Sequence, residues 1–111
     1  MSQSIAQLVD DLASKQVGFY AYHDNPFGQA TVPLTSVEVA EYANDPVSYL
    51  ARHYGVTRDA YLAWHSSNYN VLCAGFTKAG KPCKNIVPGL SLVADPKVWS
   101  DGQGRHCAHH I

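Results

Sequence analysis

The side chains in this chain best suited to chemistry are three cysteines and a histidine near its C-terminus: Cys73, Cys83, Cys107 and His110. Nine residues separate the first pair and twenty-three the second, and Cys107-Ala108-His109-His110 makes a C-x-x-H step. Thiolate and imidazole are the ligands Zn²⁺ prefers, and four of them close a tetrahedral structural site. A C-x-x-H step lets two ligands from one tight turn reach the same ion. An odd cysteine count argues against a disulfide framework. Gly75, Gly80 and Pro82 permit sharp turns, and N–H groups of residues 78–84 can donate to the sulfurs. His106 and His109 compete with His110 for the fourth position. The alternative for the same residues is three buried apolar thiols and an exposed histidine-rich tail.

A site with four protein ligands has no open position for water and is structural. A hydrolase or nuclease would need one ligand absent, leaving the metal to activate water. His106, His109 or Asn85 could then be recruited, but no acid/base pair stands at a supporting spacing. The expectation is therefore a structural Zn²⁺ and no enzyme activity, with no catalytic residues and no small-molecule substrate.

The run Cys73-Ala74-Gly75-Phe76-Thr77-Lys78-Ala79-Gly80-Lys81-Pro82-Cys83-Lys84-Asn85 resembles a short bacterial and phage zinc-binding motif. That motif has the form C-x-x-x-T-K-x-G-x-P-C-K-N followed by C-x-x-H. In that family the cysteines and histidine bind zinc, and the module occurs alone or beside nucleic-acid enzymes and DNA-binding domains. The resemblance implies Zn²⁺ on Cys73, Cys83, Cys107 and His110. The chain departs from the family in a longer spacer between Cys83 and Cys107. That insertion holds Ile86, Val87, Leu90, Leu92, Val93, Val98 and Trp99, enough apolar side chains to add a strand or short helix.

The preceding elements must position this site. Ile5, Leu8, Val9 and Leu12 recur at helical spacing, with Ser2 or Ser4 as N-cap and a stop before Gly18. The aromatic-rich residues 17–23 predict a strand, residues 24–28 a turn, and residues 29–32 an edge strand limited by Pro33. Thr35 and Glu38 form a capping box for a helix ending near Asn44. Asp45-Pro46 starts the next helix, with Val47, Leu50, Ala51 and Tyr54 on its apolar face and Gly55 at its end. Thr57 caps a helix from Arg58 to about Ser66 that buries Tyr61 and Trp64. Beyond Asn68 the chain is rich in Gly, Pro and Lys and poor in core formers, so something other than hydrophobic burial must hold it.

Residues 47–64 resemble a helix-turn-helix unit. Ala51 is small at the helix crossing, Gly55 suits a left-handed turn and Val56 plugs the corner. Thr57, Arg58, Asp59, Leu62 and Ala63 would then face outward. Arg58 is the one strong phosphate- or base-binding side chain among them, and Asp59 opposes it. Lys78, Lys81 and Lys84 offer a second cluster of phosphate contacts on the zinc loop. The bland reading is two core helices on a glycine turn beside solvated lysines. Seven tyrosines could include a stacking platform, though core and interface suit tyrosine as well. His23, His53 and His65 read as ordinary side chains.

Composition bounds the rest. At 111 residues, 46% apolar and 15% charged, the chain is expected to be one folded domain over residues 1–111, with a mostly helical part (1–70) and a zinc-binding part (71–111). The net charge of −1 excludes a globally basic nucleic-acid binder. Residues 1–45 carry one base against six acids, −5, whereas residues 46–111 carry seven bases against three acids, +4. No apolar run reaches the roughly 20 residues of a membrane span, and the N-terminus lacks a secretory pattern. The expectation is a soluble cytoplasmic α+β protein with an N-terminal helix, a short hairpin, a helix-turn-helix-like middle and a zinc-stapled C-terminal half. Its expected role is a small nucleic-acid-binding regulator, with Arg58, Lys78, Lys81 and Lys84 on phosphates. The alternative is a protein-binding adaptor or inhibitor using Leu62, Ala63 and other apolar surface.

Overall fold

The computed structural model describes residues 4–110, apart from the side chains of Ile5 and Ala6. Helix α1 (Ile5–Ser14) begins where the sequence provides two reciprocal bonds: the Gln7 N–H donates to Ser4 Oγ at 3.2 Å and the Ser4 N–H to Gln7 Oε1 at 2.9 Å. Ser2 lies outside the described residues. The helix stops before Gly18, as the sequence implied, and the stop is made by Gln16. Gln16 takes φ +68°, and the N–H groups of Gln16 and Val17 return to Ala13 O and Leu12 O. This is the left-handed helix stop that glycine usually makes. Of the expected apolar face, Val9 is buried, Leu12 half-buried and Leu8 exposed.

Strands β1 (Phe19–Asn25) and β2 (Gly28–Leu34) form a two-stranded antiparallel sheet, longer at its turn end than the sequence pattern implied. Asn25 Oδ1 accepts from the Phe27 N–H at 2.8 Å, and Gly28 takes φ +129°, so Pro26-Phe27 alone turns the chain. Pro33 lies within β2 opposite Tyr20, which a sheet of two edge strands tolerates. Alternation puts Ala21, His23 and Val32 inward and Tyr20 and Tyr22 outward.

Helices α2 (Ser36–Asn44), α3 (Pro46–His53) and α4 (Arg58–Ser66) start at the expected caps: Thr35 with Glu38, Asp45 before Pro46, and Thr57. Between α3 and α4, Gly55 takes φ +74° and the Val56 N–H donates to Ala51 O at 2.9 Å. The expected tight corner is present. The insertion between Cys83 and Cys107 supplies α5 (Pro96–Asp101), capped by Asp95 and packed against α4. The fold is α+β, as the sequence implied.

One hydrophobic core joins Val32 of the sheet, Tyr49, Leu50 and Ala51 of α3, Tyr61 and Trp64 of α4, and Val71, Val87, Leu90, Val93 and Trp99. Trp64 is wholly buried; covering an indole of that size stabilises by up to about 4–6 kcal/mol. Both tryptophans fasten the C-terminal segment to the helices. Trp64 Nε1 donates to Val93 O at 2.7 Å and Trp99 Nε1 to Asn70 O at 2.8 Å. At this junction Asn68, Tyr69 and Leu92 adopt positive φ. The core also takes in a histidine that the sequence suggested was ordinary. His23 is buried, with Nδ1–H donating to Asp24 O and Nε2 accepting from the Tyr54 hydroxyl.

Cys73, Cys83 and Cys107 form a second buried cluster, separate from that core. The molecule is a rod of 66 × 23 × 17 Å with a radius of gyration of 18.7 Å, against about 13 Å for a compact chain of this length. Among the described residues, no helix is long and apolar enough to cross a membrane.

Candidate metal centre

Residues 72–86 fold back as an irregular hairpin. Leu72 pairs with Ile86 and Phe76 with Pro82. Backbone bonds Cys73 N–H to Asn85 O (2.8 Å), Cys83 N–H to Gly75 O (2.9 Å) and Thr77 N–H to Lys81 O (2.7 Å) hold the register between them. Gly80, at φ +78°, lets Lys78-Ala79-Gly80 close the tip. This brings Cys73 and Cys83 side by side on one face. The C-terminal segment then lies along the hairpin, with the Ala74 N–H donating to Arg105 O at 2.9 Å. A short 3₁₀ turn (Ala108–His110) swings His110 back over Cys107, its N–H donating to Cys107 O at 3.0 Å.

The result is a tetrad. The Sγ atoms of Cys73, Cys83 and Cys107 and a ring nitrogen of His110 all lie within 4.8 Å of one another. His110 Nδ1 is 3.3 Å from Cys73 Sγ and 3.2 Å from Cys107 Sγ, and the Cys83 and Cys107 sulfurs are 3.9 Å apart. A tetrahedral ion with metal–sulfur bonds of about 2.3 Å and a metal–nitrogen bond of about 2.0 Å separates its sulfurs by about 3.8 Å and sulfur from nitrogen by about 3.5 Å. The donor set fits a metal ion. His106 and His109 lie outside the tetrad, so His110 takes the position that the sequence left open.

Surrounding groups orient these ligands. His110 Nε2 lies 3.1 Å from Phe76 O, so Nε2 carries the proton and Nδ1 keeps its lone pair for the ion. The Gly75 N–H donates to Cys73 Sγ at 3.3 Å and Asn85 Nδ2 to Cys107 Sγ at 3.7 Å. Burial pushes the Cys107 thiol up, but His110, the His109 N–H and Asn85 outweigh it and bring it to about 6. Burial likewise raises Cys73, and the N–H groups of Cys107 and Gly75 more than offset it. The Asn85 N–H favours the Cys83 thiolate, but burial and the two neighbouring thiols leave that thiol above its ordinary value. Contact with the Cys107 sulfur raises His110. Two of the three thiols are therefore shifted toward the thiolate form, the form in which a cysteine ligates a cation.

The four cationic candidates do not form one group. Lys78, Lys81 and Lys84 lie exposed on the metal hairpin. Arg58 is the first residue of α4, with Nε 3.8 Å from Asp45 Oδ2 at the start of α3. The backbone of Arg105 lies along the metal hairpin, because its carbonyl accepts from the Ala74 N–H; its place two residues before Cys107 was the available sequence signal. The groove between α2 and α3, lined by Glu38, Glu41, Tyr49, Arg52 and His53, has most of its charge already engaged. Tyr49 donates to Glu38 at 2.7 Å and Arg52 to Glu41 at 2.8 Å.

Comparison with known proteins attaches no family to this geometry: no family model, curated protein or solved structure matches the chain.

Proposed function

We propose that the chain is a small binding protein whose C-terminal half is stapled by one structural Zn²⁺ and contacts nucleic acid through the metal hairpin. The observation that carries this reading is a closed Cys₃His tetrad, two of its ligands on a hairpin whose lysines have no acidic partner among the described residues. Three thiolates and one imidazole in tetrahedral array suit zinc among the available metals. Four protein ligands leave the ion no position for water, which supports a structural role. The sole buried cysteine cluster offers this end little apolar burial of its own, so metal binding, worth about 10–16 kcal/mol in small zinc modules, would supply its folding energy.

Phosphate contact is assigned to Lys78, Lys81 and Lys84 ahead of α4. The outer face of α4 presents Arg58 beside Asp45, then Asp59 and Leu62, a poor surface for a phosphate ridge. The protein-adaptor reading draws support from a different place, the outward aromatic pair Tyr20 and Tyr22 on β1, whose ring centroids are 5.3 Å apart.

The test has two steps. Mass spectrometry of the purified protein should find one zinc per chain, lost in Cys73→Ser and His110→Ala. Fluorescence anisotropy with labelled oligonucleotides should then show binding that weakens steeply as salt rises. Binding undetectable at low salt ends the nucleic-acid reading and leaves the adaptor.

A further inference from the structure

The register of the metal hairpin fixes two opposite faces. Leu72 stands opposite Ile86 and Phe76 opposite Pro82, and side chains along an extended chain alternate. Cys73, Gly75, Cys83 and Asn85 therefore face the tetrad. That orientation is borne out by the buried sulfurs, by Asn85 Nδ2 on Cys107, and by the Gly75 Cα, whose missing Cβ would point into the His110 ring. The intervening residues Leu72, Ala74, Phe76, Pro82, Lys84 and Ile86 face away, and all six are exposed. Phe76 is 64% exposed, Leu72 43% and Ile86 41%. The metal does not require these side chains: Phe76 serves the site through its carbonyl alone.

The charges carried by the hairpin and its flank have one sign. No acidic residue occurs between Asp59 and Asp95. Lys78, Lys81, Lys84 and Arg105 have no ion-pair partner among the described residues. A ligand for it must present anionic groups and flat apolar surface together. The phosphate ridges of a duplex match the cations but leave Phe76, Leu72 and Ile86 in water. Unpaired bases bring π faces that stack on an exposed aromatic ring, with phosphates close by for the lysines.

Resting on the nucleic-acid reading above, we infer that the outward face of the metal hairpin is a single-strand binding surface, with a base stacked on Phe76 beside Pro82 and the adjoining phosphates on Lys78 and Lys84. The probes are a labelled mixed-sequence single strand, its duplex, and an abasic strand with the same number of phosphates, each measured with the zinc-loaded full chain at low salt. The single strand should bind more tightly than the other two. Phe76→Ala should weaken single-strand binding roughly 5- to 150-fold, the range of one base–aromatic stack, at unchanged zinc content, and Phe76→Trp should retain it. Lys84→Ala should flatten the salt dependence by about 0.7 in log–log slope.

Preferred duplex binding, lost in Arg58→Ala instead, would overturn this inference and leave the nucleic-acid reading standing. Equal affinity for the abasic strand, or a Phe76→Ala variant that binds as wild type does, would also overturn it by showing a face that answers to charge alone. No binding to any of the three would remove both.

Discussion

Gly75 stands where the sequence called only for a flexible turn, but the structure gives it a steric duty. A Cβ built on Gly75 would lie 2.9 Å from His110 Cγ, 3.1 Å from Cδ2 and 3.2 Å from Nδ1. Ordinary carbon contacts are about 3.5–4.0 Å, so in Gly75→Ala the ring must retreat by about 0.5–1 Å. The ring has little freedom to do so. Nε2 is tied to Phe76 O, and Nδ1 faces two sulfurs. Metal–ligand distances tolerate only about 0.2 Å. The substitution should therefore weaken metal binding at least about 10- to 100-fold, or about 1.4–2.7 kcal/mol, comparable to losing an orienting partner. Competition against a chromophoric chelator measures it. Gly18→Ala is the control: it has no heavy atom within 4 Å of the new Cβ and should leave metal affinity untouched. If the effect runs through His110, then Gly75→Ala should add nothing once His110→Ala is present. Wild-type affinity in the single variant, or full additivity in the double, would refute the reasoning.

Three further outcomes follow from other parts of the fold. Gly55 takes φ +74° with open space around it, so Gly55→Ala should cost about 1–2 kcal/mol through backbone strain alone, with Gly55→Asn less harmful; urea unfolding checks this, and an alanine variant as stable as wild type would contradict the corner geometry. Trp99→Phe strips the Asn70 carbonyl of its indole donor and should cost about 1–3 kcal/mol in the same assay. Glu38 is held below 4.5 by the Thr35 N–H and then the Tyr49 hydroxyl, and Asp45 below 3.8 by the Ser48 hydroxyl and then its N–H. A lowered folded pKa gives stability that is present above the unfolded value and lost as pH falls through the folded one. The urea midpoint should thus drop as pH falls below the ordinary carboxylate range, less so in Glu38→Gln; an unchanged drop in that variant would sink the assignment.

The two buried clusters differ in what holds them. One joins β2, α3, α4 and the C-terminal segment around Trp64 and Tyr61. The other buries three thiols. If the tetrad holds the proposed ion, its removal is expected to loosen residues 72–86 and the turn at His110 first, while the junction at Val71, Val87 and Val93 remains tied by Trp64.

Much of the local structure was determined by the sequence itself. The caps Ser4, Thr35, Asp45 and Thr57 act within one turn of helix, and Gly55 meets a backbone demand of its own position. Such interactions close over three or four residues and leave a readable signature. The four candidate metal ligands were legible for a related reason: thiolate and imidazole are rare and chemically specific. Their convergence was not. It depends on a hairpin register and a 3₁₀ turn meeting across the twenty-three-residue spacer between Cys83 and Cys107.

The sequence favoured His110 but left His106 and His109 in competition, and the tertiary structure decided between them, because only the His110 ring reaches the three sulfurs. The tertiary structure placed Arg58 beside Asp45 rather than on the metal hairpin, and laid the Arg105 backbone along that hairpin through a bond at Ala74. It put Gln16, not Gly18, at the left-handed end of α1, where hydrogen bonds to Leu12 and Ala13 outweigh the intrinsic preference for glycine. It also buried His23 beneath Tyr54, a partner 31 positions away. Each of these outcomes is set by groups distant in the chain, and a contact of that kind exists only once the fold has brought its two sides together.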